Sequence, residues 1–475
     1  MNKAAHTDDT TCFTRARPLH VVLVHVDLGI GGAEQLILQL AQASKRAGHT
    51  LDIVTTRCDP DHCFAAVKPG GDLFPHLQVV GRWIPATLLH GKAKALCSTL
   101  RLAYLAWWTA RKRSKADVYV LDVLPLPLWI WNWISSASLL FYCHFPDLLL
   151  LRRNPSSLLQ QCYRRVMDGM EEHCMKYADL IAVNSQFTRE TVRKTFSSLQ
   201  DTELHVLYPA LDTASLEKNE IMQEEEEEEK EDGRPMIVSL NRFERKKNLE
   251  LVLEAAAWYQ SNVPQASLPR IVIAGGYDLH CTENVEYLKE LQQYAAAKNI
   301  PVIFMKSISD ATRASLLKRA TAVMYTPTNE HFGIVPLEVM YSETIVIAVN
   351  AGGPKETIVD GVCGYLCEPT EEAFGRALQT VLEATPEQRA AMGRAAKERV
   401  IEFFSEERLM REWQDLLSKA VCVGRSRQSK LWWSPKTTLQ IIQALSTLVL
   451  YYCLTRVLTI VSWWSWSSDH VNNEL

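Results

Sequence analysis

The chain has 475 residues, 47% hydrophobic and 22% charged, with a formal net charge of −4. That length exceeds one ordinary domain and the composition is that of folded protein, so two or three packed domains are expected and a largely disordered chain is excluded. The slight acidity gives no reason to expect nucleic acid as a partner.

The N-terminal stretch Met1 to Arg17 is polar and holds no apolar segment, so no signal peptide is expected. The absence of an Asn-x-Ser/Thr sequon points to a body that stays in the cytosol. His20–Leu28 is a continuous strand-like run, followed by a turn at Gly29, Gly31 and Gly32. A helix is predicted from near Ala33, with Leu36, Ile37 and Leu40 on one face and Gly48 as its stop. Leu51–Thr56 completes a βαβ unit, and Asp117–Asp122, Leu139–His144, Asp179–Asn184 and Leu204–Tyr208 continue the strand series. Such alternation predicts an α/β domain on a parallel sheet covered by helices on both faces. The stretch from Leu121 to Leu151 is unusually apolar, but Pro125, Pro127, Asn132, Pro146 and Asp147 break it. It reads as buried strands and a surface that leans on a membrane, not as a span. Trp107, Trp108, Trp129, Trp131 and Trp133 suit a membrane interface and core packing equally well.

Glu224–Glu229, followed by Lys230, Glu231 and Asp232, cannot bury apolar surface and reads as a solvated linker insertion. After it the strand runs resume at Met236–Leu240, Ile271–Ala274, Val302–Met305, Ala322–Tyr325 and Ile345–Val349, with a helix from Asn248. A helical pattern from Glu402 to Leu417 would pack across both domains. The expected organisation is a first Rossmann-like domain at 18–215, the acidic linker at 216–235, a second Rossmann-like domain at 236–400, a crossing helix at 401–420 and a membrane-associated tail at 421–475. Within the tail, Leu439–Ser462 as a helix would be about 36 Å long, enough for a hydrocarbon core of about 30 Å. Trp432, Trp433, Trp463, Trp464 and Trp466 flank it, and Arg425, Arg427, Lys430 and Lys436 lie on its N-terminal side, which leaves the body cytosolic. The 12 cysteines form no CxxC array; the close pairs Cys58/Cys63 and Cys363/Cys367 read as reduced packing residues.

In parallel α/β sheets ligands bind beyond the carboxyl ends of strands. The turn Gly29–Gly32 opens a helix there, and its backbone N–H groups suit a phosphate or a hydroxyl-rich ligand; a tight turn needing positive φ at glycine is the plainer account. It is not GxGxxG, and no acidic residue closes the next strand, so a dinucleotide site is disfavoured. Asn241–Asn248 places Arg242, Arg245, Lys246 and Lys247 at a strand exit, where cations would neutralise a diphosphate; a solvated basic turn accounts for the motif equally well. In Thr328–Glu338 two carboxylates, Glu330 and Glu338, stand eight residues apart. Between them Phe332, Gly333 and Ile334 would present free N–H groups before a helix beginning near Pro336. Asp59 and Asp61 mimic a metal-binding DxD but are an isolated pair.

Together, Gly31–Gly32, Arg242 with Lys247, and Glu330 with Glu338 resemble the retaining nucleotide-sugar glycosyltransferases of family 4, of the GT-B fold. With His144 in Phe141–Asp147 and the run Val183–Thr188, the chain resembles more narrowly the eukaryotic α-1,3/1,6-mannosyltransferases of asparagine-linked glycosylation, over roughly residues 19–420. The glutamate run is not part of that pattern. The resemblance implies transfer of mannose from GDP-mannose to a mannosyl-chitobiosyl-diphosphodolichol acceptor, first in α-1,3 and then in α-1,6 linkage, at the cytosolic face of the endoplasmic reticulum membrane. It implies Arg242 and Lys247 as the diphosphate clamp, Glu330 and His144 at the transferred sugar, and Glu338 on the ribose. Phe332, Gly333 and Ile334 would complete the donor site, and Gly31 and Gly32 the loop of the first domain. No metal or other cofactor is expected, since two fixed cations replace the divalent ion. Other transferases of the same pathway are expected partners beside the membrane. The residues leave open whether Glu330 is a nucleophile or supports front-side transfer.

Overall fold

Short apolar runs and amphipathic helices alternate along the chain to build two parallel sheets. The computed structural model describes residues 17–87, 94–150, 158–214, 216–217, 233–263 and 267–430. The first half contributes β1 (His20–Val24), β2 (Asp27–Leu28), β3 (Thr50–Thr55), β4 (Arg57–Cys58), β5 (Leu77–Val79), β6 (Val118–Asp122), β7 (Ser138–Cys143), β8 (Leu180–Val183) and β9 (Leu204–Val206). Seven of these form one sheet in the order β5-β3-β1-β6-β7-β8-β9, and β2 pairs with β4 apart from it. The second half contributes β10 (Met236–Leu240), β11 (Arg270–Gly275), β12 (Val302–Lys306), β13 (Ala322–Tyr325), β14 (Ile345–Val349) and β15 (Tyr365–Cys367), ordered β12-β11-β10-β13-β14-β15. Every pairing is parallel.

Central strands are buried on both faces, which is why they read as unbroken apolar runs. All residues of β6, β7, β8, β10, β13 and β14 are buried. The two-residue alternation divides each core in two. Val21 and Leu23 face the helix Gly32–Arg46, while Val22 and Val24 face Leu102, Leu105 and Trp131 on the other side. Trp131 settles as core: its Nε1 donates to Ala106 O and Thr109 Oγ1, both at 3.0 Å, and its ring stacks on Tyr119. Trp107, Trp129 and Trp133 are exposed.

Four local expectations change, the first being that the predicted helical run Glu402–Leu417 is divided at Ser405 between the helices Pro386–Phe404 and Glu406–Lys430. The run His20–Leu28 is two strands, because the chain leaves the sheet after Val24 and β2 pairs elsewhere. The helix after the basic motif starts at Glu250 rather than Asn248, since Asn248 is left-handed at φ 50°. The helix bearing Glu338 begins at Ile334, not near Pro336, behind a left-handed Gly333 at φ 80°. The glutamate run Glu224–Asp232 and the apolar segment Leu439–Ser462 lie outside the described residues. Among the described residues no helix is long and apolar enough to cross a membrane.

The C-terminal helices cross between the domains. Pro386–Phe404 packs in the second domain, through Ala396, Val400 and Phe404. After Ser405 the helix Glu406–Lys430 returns to the first, where Leu409, Trp413, Leu416, Leu417, Ala420 and Val421 join the core around Leu36, Ile37 and Leu40. Trp413 is fully buried and its Nε1 donates to Ser44 Oγ at 2.8 Å. Trp413→Ala should therefore destabilise the first domain by about 3–5 kcal/mol. Ser44→Ala should cost only about 1 kcal/mol. Urea unfolding of the two variants should show that order; equal midpoints would mean that the helix is not part of the core.

Candidate active site

The order of the second sheet reverses direction between β10 and β13, and a ligand crevice belongs at such a switch point. The basic segment leaves β10 there and the Glu330 segment leaves β13. Lys247 is brought in by the turn at Asn248, and its carbonyl accepts from Thr326 Oγ1 at 2.7 Å. Its Nζ lies 2.5 Å from Glu330 Oε1, while Tyr325 OH donates to Glu330 Oε2 at 3.0 Å. Burial opposes ionisation of Glu330, but Lys247 and Tyr325 outweigh it and hold the carboxyl below its ordinary value.

The other cations of the motif part company. Arg242 is largely exposed, 3.8 Å from Glu244. Arg245 turns away to Glu290 at 2.6 Å, and Lys246 pairs with Glu244 at 2.8 Å. Only Arg242 and Lys247 remain available to the crevice. The glycine pair at the end of β11 makes room for the first of them: a Cβ on Gly275 would stand 1.9 Å from Asn241 O, and one on Gly276 would stand 3.3 Å from Arg242 Cγ.

Glu330 and Phe332 are clasped by the turn Asn350–Pro354. Gly353 N donates to Glu330 O at 2.9 Å, and a Cβ on Gly353 would fall 2.1 Å from Phe332 O. The glycines of this turn exist for close approach. Gly333 carries no side-chain cap, so the first N–H groups of Ile334–Tyr341 are left to other acceptors. Glu338 sits in the second turn of that helix, ion-paired with Arg313. Burial, with Asp310 nearby and Arg313 opposing, pushes its carboxyl up to about 7.

The first domain presents a relay that the sequence did not disclose. His144 follows β7, and its Nε2 lies 3.0 Å from Asp122 Oδ2 at the end of β6. Asp122 Oδ1 in turn lies 2.7 Å from His25 Nδ1, just past β1, and His25 Nε2 is 3.7 Å from Glu34 Oε1. The switch point of the first sheet falls between β1 and β6, so His25 and Asp122 occupy it. Burial would strip His25 of its proton, but Asp122 and Glu34 reverse this and push its pKa up to about 10. Asp122, despite burial, is held below its ordinary value by His25 and His144. A polar residue at the end or just past the end of each apolar run was the available signal. Glu34 also borders the glycine turn, since a Cβ on Gly31 would meet its Oε2 at 2.5 Å. Neither Gly31 nor Gly32 has positive φ, so the plainer turn account fails there; nothing lies within 4 Å of a Cβ placed on Gly32.

The two halves meet directly. Phe145 stacks on His331 with centroids 3.6 Å apart, and Ser185 Oγ donates to His331 O at 2.6 Å. Burial lowers the His331 pKa to about 4, so the ring stacks as a neutral imidazole. Glu356 of the second domain accepts from Gln186 N at 2.7 Å, Phe187 N at 2.6 Å and Tyr208 OH at 2.9 Å. It thereby caps the helix Gln186–Thr195 of the first domain, whose positive end favours a carboxylate. Arg399 holds the segment by donating to Glu356 O and Thr357 O. His144 and Glu330 thus belong to one interdomain cleft, with Gly31 and Gly32 at the first-domain turn beside Glu34.

Two facing Rossmann-like domains with a charged cleft define a glycosyltransferase of the GT-B fold. The family model described as Glycosyltransferase Family 4 matches residues 30–215, and that described as Glycosyl transferases group 1 matches residues 220–399. The solved sucrose-phosphate synthase of Thermosynechococcus elongatus superposes with TM-score 0.64 at 20% identity, over 84% of this chain and 98% of that one. The catalytic domain of starch synthase IV from Arabidopsis thaliana does so with TM-score 0.64 at 14% identity, over 86% of this chain and all of that one. Among sequences, the α-1,3/1,6-mannosyltransferase ALG2 of Homo sapiens is 40% identical over 395 residues, 82% of this chain and 92% of its own. That of Saccharomyces cerevisiae is 36% identical over 370 residues, 72% of each chain. The chain belongs to the α-1,3/1,6-mannosyltransferase family and is an enzyme.

The His25 relay has a pH signature. Folded His25 keeps its proton up to about pH 10, whereas an unfolded histidine loses it near 6.5. The stability this contributes is fully present below pH 6.5 and is lost as pH rises through 10. The Tm difference between wild type and His25→Asn should therefore shrink between pH 7 and 10.5. A difference that stays constant would show that His25 is neutral in the fold.

Proposed function

We propose that this enzyme transfers mannose with retention from GDP-mannose to a mannosyl-chitobiosyl group on diphosphodolichol, making α-1,3 and then α-1,6 linkages. The observation that carries the assignment is the Lys247–Glu330 pair, 2.5 Å apart at the switch point of the second domain. In transfer the bond from mannose C1 to the β-phosphate oxygen breaks and GDP leaves with the electron pair. An acceptor hydroxyl then bonds to C1 and gives up its proton. Negative charge grows on the diphosphate and positive charge on the sugar ring. Preorganised charges of opposite sign at the two places lower that barrier.

Lys247 supplies the cation beside the leaving group, and exposed Arg242 closes on the diphosphate from the mouth of the cleft. The N–H groups beyond Gly333 add fixed positive dipoles, with Phe332 and Ile334 shaping the floor. Glu330, held ionised, is suited to stabilise the ring cation and not to donate a proton. His144 approaches the sugar from the first domain, oriented by Asp122. Glu338 takes the ribose hydroxyls, exchanging part of its pairing with Arg313. The two cations carry the role that a divalent metal has elsewhere, and the family resemblance supports cytosolic action at the endoplasmic reticulum membrane. The dolichol tail of the acceptor requires a membrane surface, and the apolar segment Leu439–Ser462 would supply the attachment.

The two glutamates should separate in kinetics. Glu330→Gln should lower kcat by about two orders of magnitude, roughly 3 kcal/mol, because its contact strengthens in the transition state. Glu338→Gln should chiefly raise the KM for GDP-mannose about tenfold, roughly 1.4 kcal/mol. Steady-state assays on folded variants decide; equal losses of kcat would refute the division of roles. Mannose transfer should also survive excess EDTA, and complete loss restored by manganese would overturn the clamp.

A further inference from the structure

A second feature stands at the same edge of the first sheet, displaced toward β3 and β5. It is a cavity of about 490 Å³ whose lining includes Arg57, Asp59, Arg82, Ile84 and Arg101. Arg101 forks onto both oxygens of Asp27, which neutralises it and fixes it as a wall. It is 2% exposed, yet its Nε has no hydrogen-bond partner. Arg57 and Arg82 are exposed, and among the described residues neither guanidinium makes an ion pair. With Asp59 opposing them, the described lining of the cavity keeps an excess of positive charge.

The rim is apolar on one side. Gly81, at φ 79°, turns the chain where a Cβ would strike the Tyr104 ring at 2.8 Å, and so sets Arg82 and Trp83 against the helix Lys94–Lys112. Trp83 packs edge-on against Tyr104 at 5.6 Å, and Tyr104 lies 6.0 Å from Trp107. Trp83 is 72% and Trp107 41% exposed, with the Arg111 guanidinium 5.2 Å from the Trp107 ring centre. Tryptophans beside arginines form the sort of surface that settles where headgroups meet hydrocarbon.

We propose that this cavity is the subsite for the diphosphate of the lipid-linked acceptor, and that the isoprenoid chain leaves along the Trp83–Tyr104–Trp107 ridge. The assignment rests on the functional reading above and adds to it the residues that recognise the lipid carrier. Arg57 and Arg82 grip the phosphate oxygens, where the planar fork of arginine is better matched than a point charge. The spacing agrees with the acceptor. From β3 to β7, which leads to His144, is three strand steps, about 14 Å at roughly 4.8 Å each. A short oligosaccharide spans that interval, so the sugar to be extended reaches the cleft while the diphosphate stays in the cavity.

The test uses the full chain in detergent, GDP-mannose, and two acceptors with the same mannosyl-chitobiosyl group: one on a short isoprenyl diphosphate, the other a methyl glycoside. Wild type should prefer the diphosphate acceptor in kcat/KM. The double variant Arg57→Gln/Arg82→Gln should reduce that preference about a hundredfold, near tenfold for each arginine. Its circular dichroism and melting curve should overlay those of wild type. A preference kept within twofold of wild type overturns the subsite and leaves the enzyme's function standing. No mannose transfer by wild type to either acceptor overturns the functional reading, and the subsite falls with it. Loss of binding to phosphatidylserine vesicles by the double variant, with the diphosphate preference intact, would make the patch a general headgroup contact and also overturn the assignment.

Discussion

A carboxylate from one domain seated on the helix N-terminus of the other holds the cleft in register. Glu356 accepts from Gln186 N and Phe187 N, and Ser185 returns a hydrogen bond to His331 O. Each charge-assisted bond of this kind is worth about 1.5–3 kcal/mol. Everything specific to the chemistry depends on that alignment. Without it Glu330 and Lys247 are a salt bridge on one domain, and His144 is a histidine on another.

The charges on the two sides of the cleft are arranged differently. In the second domain a cation and an anion are in contact, Tyr325 adds a hydroxyl, and both ions are partly open to incoming ligand. In the first domain His25 and Asp122 are buried, and Glu34 is half-buried, so their pairing is structural and constant. Buried pairs of this sort gain little stability but fix orientation, because removing one member strands the other. The relay thus sets the direction of the His144 ring, and the partly open pair faces the cleft.

Much of this arrangement was legible in the sequence. Buried parallel strands are mostly apolar, which made β6, β7, β10, β13 and β14 plain as short apolar runs. Glu330 and Glu338 were visible because glycine and proline between them mark the mouth of a helix. Two short edge strands were not visible: Leu77–Val79 and Tyr365–Cys367 are three residues each and only partly buried, so they lack a pattern. The divided fates of Arg245 and Lys247 were not visible either, since they depend on the acidic helix Thr282–Ala297 that carries Glu286 and Glu290. Glu356 gave no local sign, because the amides it caps are some 170 positions away.

The crossing helix has a consequence for biogenesis. The core of the first domain is closed by Trp413, Leu416 and Leu417, which emerge from the ribosome last among its parts. With synthesis at about 5–20 residues per second, the roughly two hundred intervening residues impose a delay on the order of 10–40 seconds. Through that interval the apolar face around Leu36, Ile37 and Leu40 has no native cover. The second domain, contiguous from Met236 to Phe404, faces no such wait. The nascent chain can therefore complete its second domain before its first, an inversion of the usual vectorial order.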